Sequence, residues 1–278
     1  MIAVSASIVL PVYNEAESLP ALWAELGPVV SKLPMKAEVV MVDDGSTDDS
    51  AAIVRGLAHA DSRVRLIRLG ANTGLTAALL AGLSAARGDC IVTMDSDLQY
   101  DPADIPRLLT LLDEYDAALG WRGRRRDSWT KRLSSRLAND VRRAVLRDSV
   151  RDSACTLRAM RRECVAAIAP YHGMHRFVPS LLELRGFKVI EVEVRHRPRR
   201  HGTSKYGVRN RSVRPFIDLL AVAWMRARRV SYTIVEDTAA LPEAGFLDQA
   251  PRARPAAAPG GRLPEGVRKR QLGERVDG

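Results

Sequence analysis

The chain has 278 residues, 46% of them hydrophobic, and a formal net charge of +10; that length suits one large α/β domain or one domain with an appendage. No apolar run reaches the ~18 residues that a membrane-crossing helix needs, and the opening Met1-Ile2-Ala3-Val4-Ser5 has no basic leader, so neither a span nor a secretory signal is expected. Three scattered cysteines, Cys90, Cys155 and Cys164, argue against a disulfide framework or zinc site and for a reducing compartment, with Cys155 read as a small buried residue rather than a nucleophile.

Residues 7–11 form a first buried strand, followed by the loop Tyr13-Asn14-Glu15. Residues 17–32 show helical spacing through Leu19, Leu22, Trp23, Leu26 and Val30. A second strand, residues 38–42, ends in Asp43-Asp44-Gly45; Gly45 permits a tight turn, and Ser46 to Asp48 can cap the helix that follows. A third short strand covers residues 63–69. Asn72-Thr73-Gly74 then turns the chain into an alanine-rich helix ending near Gly88. The fourth strand, residues 90–94, is apolar and rich in β-branched residues, and it stops on Asp95-Ser96-Asp97.

Strand, polar loop and helix thus recur four times by residue 112, the pattern of a doubly wound, mostly parallel sheet flanked by helices. In such sheets ligands bind beyond the carboxyl ends of the strands. Alone, Asp95-x-Asp97 fits a solvated acidic turn better than a site. Three polar strand ends at corresponding positions, however, would line one pocket, and paired carboxylates suit Mg²⁺ or Mn²⁺ shared with substrate phosphates. No Gly-x-Gly-x-x-Gly follows the first strand and no P-loop occurs, so phosphate would be held by metal and basic side chains. An aspartyl-phosphate role for Asp95 finds no further support in the sequence.

The charge is unevenly spread. Residues 1–120 carry 8 Lys/Arg against 17 Asp/Glu, residues 121–163 carry 14 against 5, and residues 195–229 carry 11 against 1. An acidic half can hold a cation, and a basic half attracts phosphates, anionic lipid or nucleic acid. Few aromatic residues interleave the basic segments and no binding motif occurs, so nucleic acid is not an expected partner. Most arginines of 122–143 read as solvated or lipid-facing surface.

Four motifs now stand in order: Pro11-Val12-Tyr13-Asn14-Glu15, Val42-Asp43-Asp44-Gly45-Ser46, Asn72-x-Gly74 and Met94-Asp95-Ser96-Asp97-Leu98-Gln99. With them the chain resembles the family-2 glycosyltransferases of the GT-A fold, from about Ser7 to Arg229. In the second half, Gly120-x-Arg122, Arg126-Asp127-Ser128-Trp129, Cys155-Thr156-Leu157-Arg158-Ala159 and Arg199-x-x-Gly202-x-Ser204-Lys205-Tyr206 resemble the polyprenyl-phosphate glycosyltransferases. That group includes dolichyl-phosphate mannose synthases and undecaprenyl-phosphate transferases for glucose or formamido-arabinose.

The resemblance implies nucleotide contacts at Pro11, Tyr13, Glu15, Val42 and Asp44. It puts Asp95, Ser96, Asp97 and Gln99 around the metal and diphosphate, with Asp95, Asp97 and Gln99 as ligands of Mg²⁺ or Mn²⁺. Arg122, Arg199 and Lys205 would hold donor or acceptor phosphates, and Lys131 or Arg132 would meet the lipid phosphate. The implied reaction moves a sugar from a UDP- or GDP-sugar to a polyprenyl phosphate such as undecaprenyl phosphate, with inversion. An ionised phosphate oxygen needs no general base, which agrees with His172, His175, His196 and His201 being scattered among arginines. Two alternatives stand beside this reading: a family-2 transferase with a soluble or protein acceptor, and a non-catalytic membrane-surface binding module of the same fold.

The expected organisation is a GT-A catalytic domain over 1–208, an amphipathic segment over 209–235 and a tail over 236–278. Residues 213–225 are apolar but broken by Arg214, Pro215 and Asp218, and they lead into Arg226-Ala227-Arg228-Arg229. Such a helix can lie on an anionic bilayer or pack on the catalytic domain. Residues 239–278, rich in Pro, Ala, Gly and charge, read as disordered. Many bacterial members of the resembled group continue into transmembrane helices instead. The expectation is therefore a cytoplasmic protein, peripheral on the cytoplasmic face of the membrane or completed by a separate membrane-protein partner.

Overall fold

The computed structural model describes residues 5–123, 140–146, 150–198 and 213–228. Seven strands form one sheet: β1 (Ser5–Val12), β2 (Lys36–Asp43), β3 (Val64–Arg68), β4 (Cys90–Thr93), β5 (Ala117–Arg122), β6 (Arg158–Arg161) and β7 (Val189–Val194). Their order is β3-β2-β1-β4-β6-β5-β7. All pair in parallel except β6, which is antiparallel to β4 on one side and β5 on the other. The helices are α1 (Leu19–Ser31), α2 (Ser50–Ala60), α3 (Leu75–Ala85), α4 (Ile105–Thr110), α5 (140–146), α6 (Val178–Leu184) and α7 (Val213–Ala227).

The central strands are buried on both faces, as their unbroken apolar runs require. Ile8 and Leu10 of β1 and Val39 and Met41 of β2 point into one core with Leu19, Leu22 and Leu26 of α1 and Ile105 and Leu108 of α4. Val9, Val40 and Val42 point to the other core, with Ala78, Leu79 and Leu83 of α3 and Val178 and Leu182 of α6. Period-two alternation therefore feeds two cores rather than one core and solvent. The expected doubly wound, mostly parallel sheet is present.

Pairing extends β1 and β2 beyond the apolar residues that mark them in the sequence. Ser5 faces Lys36 in the parallel register, and Ser5 also donates its N–H to Asp89 Oδ2 (2.9 Å). The alanine-rich helix stops at Ala85, before Gly88. Ala86 turns extended, and the Gly88 N–H donates to Ser7 Oγ (2.8 Å), drawing the chain onto the sheet.

Because β6 runs against its neighbours, its first residue, not its last, reaches the carboxyl edge of the sheet: Arg158 is the register partner of Thr93, the final residue of β4. The sequence gives little warning of β6, whose four residues begin and end with arginine. Both ends are taken up locally, since Arg161 reaches the carbonyl of Leu112 and Arg158 those of Ser153 and His175.

The α7 helix lies within the segment expected to be amphipathic. Leu219, Val222 and Ala223 pack against Leu146 of α5 and against Phe177 and Leu181. Phe216, Ile217, Leu220 and Trp224 remain 49–63% exposed, and at ~100° per residue they share one side of the helix. No helix among the described residues is long and apolar enough to cross a membrane. The tail over 236–278 lies outside the described residues.

α3 sits close on the sheet at Gly82, where a Cβ would come within 2.3 Å of Val9 Cγ1 and 3.0 Å of Val42 Cγ2. Both valines are fully buried and have nowhere to move. We therefore expect Gly82→Ala to destabilise the fold by a net 1–2 kcal/mol or so, overpacking outweighing the ~1 kcal/mol helix-propensity gain. A lower urea midpoint at unchanged m-value checks this.

Candidate active site

The loops after β1 and β2 are laced together at the carboxyl edge. Asn14 donates its N–H to Ser46 Oγ (2.9 Å) and accepts at Oδ1 from the Thr47 N–H (2.8 Å). Glu15 donates its N–H to Ser50 Oγ (2.8 Å) and accepts from Ser18 Oγ (3.1 Å). Asn14 holds a left-handed φ of 49°, sparsely populated for a residue with a side chain and enriched for Asn. Such outliers concentrate at sites that the surroundings over-determine, and here the lacing to Ser46 and Thr47 does so.

Asp44, only 3% exposed, joins these loops to the start of α3. Its Oδ1 accepts from the N–H and hydroxyl of Thr73 (2.8 and 2.9 Å), and its Oδ2 from the Gly74 N–H (2.8 Å). Gly45 follows at φ +68°, where a Cβ would stand 2.5 Å from the backbone of Ala71. The Asp-Gly pair thus lets the β2 and β3 loops approach closely.

The Asp95–Gln99 loop completes the edge. Ser96 donates its hydroxyl to the Pro11 carbonyl (2.8 Å), and Asp97 Oδ1 accepts from the Gln99 N–H (3.2 Å). Between them Leu98 takes a φ of 62°, yet its side chain is 1% exposed in the core with Leu19 and Ile105. Core burial anchors the strained residue between Asp97 and Gln99. The segment after β7 crosses the same loop: the Arg197 N–H donates to the Gln99 carbonyl (2.7 Å), and Arg195 and Arg197 pair with Asp101 (3.1 and 3.0 Å).

A second group of side chains comes from the basic half. Arg122, at the end of β5, is held in a bidentate pair by Asp152, with Nε and Nη2 at 2.7 and 2.9 Å from its oxygens. Burial works against the Arg122 cation, and Asp152 more than offsets it, so its pKa lies above the usual value. A phosphate at Arg122 would share the guanidinium with Asp152 or displace it. Burial alone pushes Arg158 the other way, below its usual value. His175 bonds Thr76 Oγ1 through Nδ1 (2.8 Å). Burial, with Arg176 and Arg158 nearby, lowers its pKa to about 3, so it is neutral at pH 7. The thiol of Cys155 is pushed up to about 11 by burial and that of Cys164 also rises, the opposite of an activated nucleophile.

Of the residues singled out in the sequence, the structure brings Pro11, Tyr13, Glu15, Asp44, Asp95, Ser96, Asp97 and Gln99 to one edge of the sheet, on loops that bond to one another. Val42 is fully buried against α3, and its side chain supports the strand beneath Asp43. Lys131, Arg132, Arg199 and Lys205 lie outside the described residues. Asp152 and His175 are additions; the pairing of Asp152 with Arg122 spans 30 residues and carries no local sequence signal.

No three His, Cys, Asp or Glu side chains converge as a metal cage among the described residues. The carboxylate oxygens of Asp95 and Asp97 are the donor type that a hard cation takes when phosphate and water supply the rest of its shell.

A seven-stranded, mostly parallel sheet with one antiparallel insertion, helices on both faces and an Asp-x-Asp loop at its carboxyl edge is the GT-A nucleotide-diphospho-sugar transferase fold. A family model, glycosyl transferase family 2, matches residues 7–168, and the chain belongs to that family. Undecaprenyl-phosphate 4-deoxy-4-formamido-L-arabinose transferases of Sodalis glossinidius (strain morsitans) and Edwardsiella ictaluri (strain 93-146) are each 39% identical over 204 residues, 73% of this chain. The match spans 63% of the length of those relatives. Among solved structures, glucosyl-3-phosphoglycerate synthase from Mycobacterium tuberculosis with Mn²⁺ and uridine-diphosphate-glucose superposes with a TM-score of 0.60 at 21% identity, covering 79% of both chains. The same enzyme with Mg²⁺ and uridine-diphosphate gives 0.59 at 20%, covering 80% of this chain and 79% of that one.

The buried His175 has a consequence for stability. Its folded pKa of about 3 lies below the ordinary value of 6.5, so between those values the unfolded chain binds the extra proton and stability falls as pH falls. We expect His175→Gln to remove this contribution, giving a shallower loss of stability between pH 6.5 and pH 4 in paired urea titrations.

Proposed function

We propose that this chain is an inverting glycosyltransferase that moves a sugar from a nucleotide-diphosphate donor to a polyprenyl phosphate such as undecaprenyl phosphate. The observation that carries the reading is the convergence of the Asn14–Glu15, Asp43–Asp44 and Asp95–Gln99 loops on one edge, in a chain 39% identical to transferases named for that acceptor. The synthase that shares the fold at 21% identity supports the architecture alone.

In this reading Pro11, Tyr13, Glu15 and Asp44 frame the nucleotide, Val42 acting through the strand beneath them. Asp95 and Asp97, with the Gln99 side chain, would hold Mg²⁺ or Mn²⁺, which when bound would supply positive charge to offset the negative charge building on the departing diphosphate. Arg122, Arg199 and Lys205 hold phosphates, and Lys131 or Arg132 meets the lipid phosphate. Arg197, two residues before Arg199 in the sequence, donates its N–H to the Gln99 carbonyl. An oxygen of the acceptor phosphate, already ionised, attacks the anomeric carbon as the bond to the diphosphate breaks on the opposite face. The nucleoside diphosphate leaves and no proton has to be removed.

We assign the exposed face of α7 to the membrane surface. Phe216, Ile217, Leu220 and Trp224 present an apolar strip, and Arg226 and Arg228 follow on its last turn and just beyond. Apolar insertion beside basic charge suits the anionic cytoplasmic leaflet. The protein then works peripherally, on the side where its nucleotide donor is found.

Incubating the full chain with UDP- and GDP-sugars, Mg²⁺ or Mn²⁺ and undecaprenyl phosphate should yield a lipid-linked sugar with at least one donor; absence of product with every donor would refute the acceptor assignment. In the same assay Asp97→Ala should abolish product and metal-dependent donor binding while the circular dichroism spectrum stays unchanged. For α7, the double variant Phe216→Ser/Trp224→Ser should cosediment with phosphatidylglycerol-containing vesicles about tenfold more weakly than wild type, two buried apolar side chains being worth that much or more. Equal sedimentation would transfer this face to a protein partner.

A further inference from the structure

Below the first carboxylate of the Asp95–Gln99 loop lies a cavity of about 10 Å³, bounded by Pro11, Leu79, Asp95, Thr156, Arg158 and His175 among others. That is room for about one oxygen-sized group. Its lining is mostly apolar, and two buried polar atoms of the lining residues lack partners among the described residues. Arg158 is 2% exposed, donates Nη1 to the His175 carbonyl (3.1 Å) and Nη2 to the Ser153 carbonyl (2.9 Å), and has no partner for Nε. Oγ1 of Thr156 is likewise shut off from solvent and unpartnered, while the N–H of the same residue donates to the Tyr100 hydroxyl (3.3 Å).

Each buried polar group left unpaired costs about 1–3 kcal/mol. Two of them beside one small cavity call for an acceptor that enters it. The hydrogen bonds of Arg158 go to neutral carbonyls; of the carboxylates near its guanidinium, Asp152 is committed to Arg122 and Asp95 lines the cavity itself. An oxygen that enters between Asp95 and Arg158 answers the orphaned Nε donor. Leu75 and Leu79 close the cavity on the α3 side, so only a slim group fits.

We propose that this cavity is a subsite for one hydroxyl or carbonyl oxygen of the donor's sugar, with Thr156 and Arg158 as its recognition residues. The inference rests on the nucleotide-sugar reading above, since Pro11 and Asp95 frame both the cavity and the assigned nucleotide and diphosphate positions. It gives the chain a means of telling one sugar from another. Arg158 acts here because the antiparallel course of β6 starts at the carboxyl edge.

Calorimetric titration of the full chain with Mn²⁺ tests this, comparing UDP and GDP with UDP-glucose, UDP-4-deoxy-4-formamido-L-arabinose and GDP-mannose. The readout is the ratio of each sugar nucleotide's affinity to that of its bare diphosphate. Wild type should favour one sugar in that ratio. Thr156→Val should cut the preferred ratio about tenfold, the effect of one lost hydrogen bond to a buried partner, while affinity for the bare diphosphate holds. Thr156→Ser, which keeps the hydroxyl, should restore the ratio. Arg158→Lys, which keeps charge without the Nε geometry, should lower it as well. Circular dichroism accompanies each variant, and if one does not fold the other decides. A folded Thr156→Val or Arg158→Lys protein with an unchanged ratio overturns the subsite and leaves a structural water as the occupant. A wild type with the same ratio for every sugar overturns it too, with nucleotide binding still standing. A wild type that binds none of these nucleotides overturns both readings.

Discussion

The carboxylate of Asp44 accepts three hydrogen bonds from Thr73 and Gly74, and the arrangement of the candidate site depends on it. A carboxylate that is 3% exposed must have its lone pairs occupied, and these donors come from the loop that begins α3. The bond thus fixes the position of α3 relative to the end of β2. From there Asn14, Ser46 and Thr47 fix β1 to β2, and Ser96 fixes β4 to β1 through the Pro11 carbonyl. Four loops that no regular element joins become one rigid rim. Preorganisation of this kind is what lets a few carboxylates meet a polyanionic ligand without first reorganising.

The division of charge along the sequence acquires a spatial meaning on this rim. The acidic half supplies the loops, and the basic half enters from the other side of β4 through β6 and the segment after β7. Many of its arginines serve the fold before they serve a ligand. Arg161 and Arg162 hold backbone carbonyls, Arg142 is buried against Val150, and Arg195 and Arg197 bind Asp101. Arg122 is already held by Asp152, so a phosphate that reached it would have to compete.

The first half of the fold was legible because local pattern and tertiary role agree there. Apolar runs of five residues became two-sided strands, and each polar cluster after them became a rim loop. The Asp-x-Asp of β4 was readable for the same reason: a buried strand has only one place to put a carboxylate. Legibility failed where pairing is long-range. Arg158-Ala159-Met160-Arg161 looks like basic surface until β4 and β5 close on it from both sides. The bond between Arg122 and Asp152, the contact of Thr76 with His175 and the burial of Val42 beneath its acidic neighbours are likewise products of packing. Residue type alone does not announce them.

The insertion of β6 between β4 and β5 also sets the order in which the molecule can be assembled. β5 is synthesised before β6 but lies outside it, so it cannot join the sheet by pairing with β4 directly. Until Arg158–Arg161 has emerged, β4 carries an unpaired edge, and unpaired edges of apolar strands invite association with other chains. The nascent acidic half therefore holds Asp95 and Asp97 on the last strand of an unfinished sheet. The strand that seals that edge also brings Arg158 to the carboxyl edge, opposite Thr93.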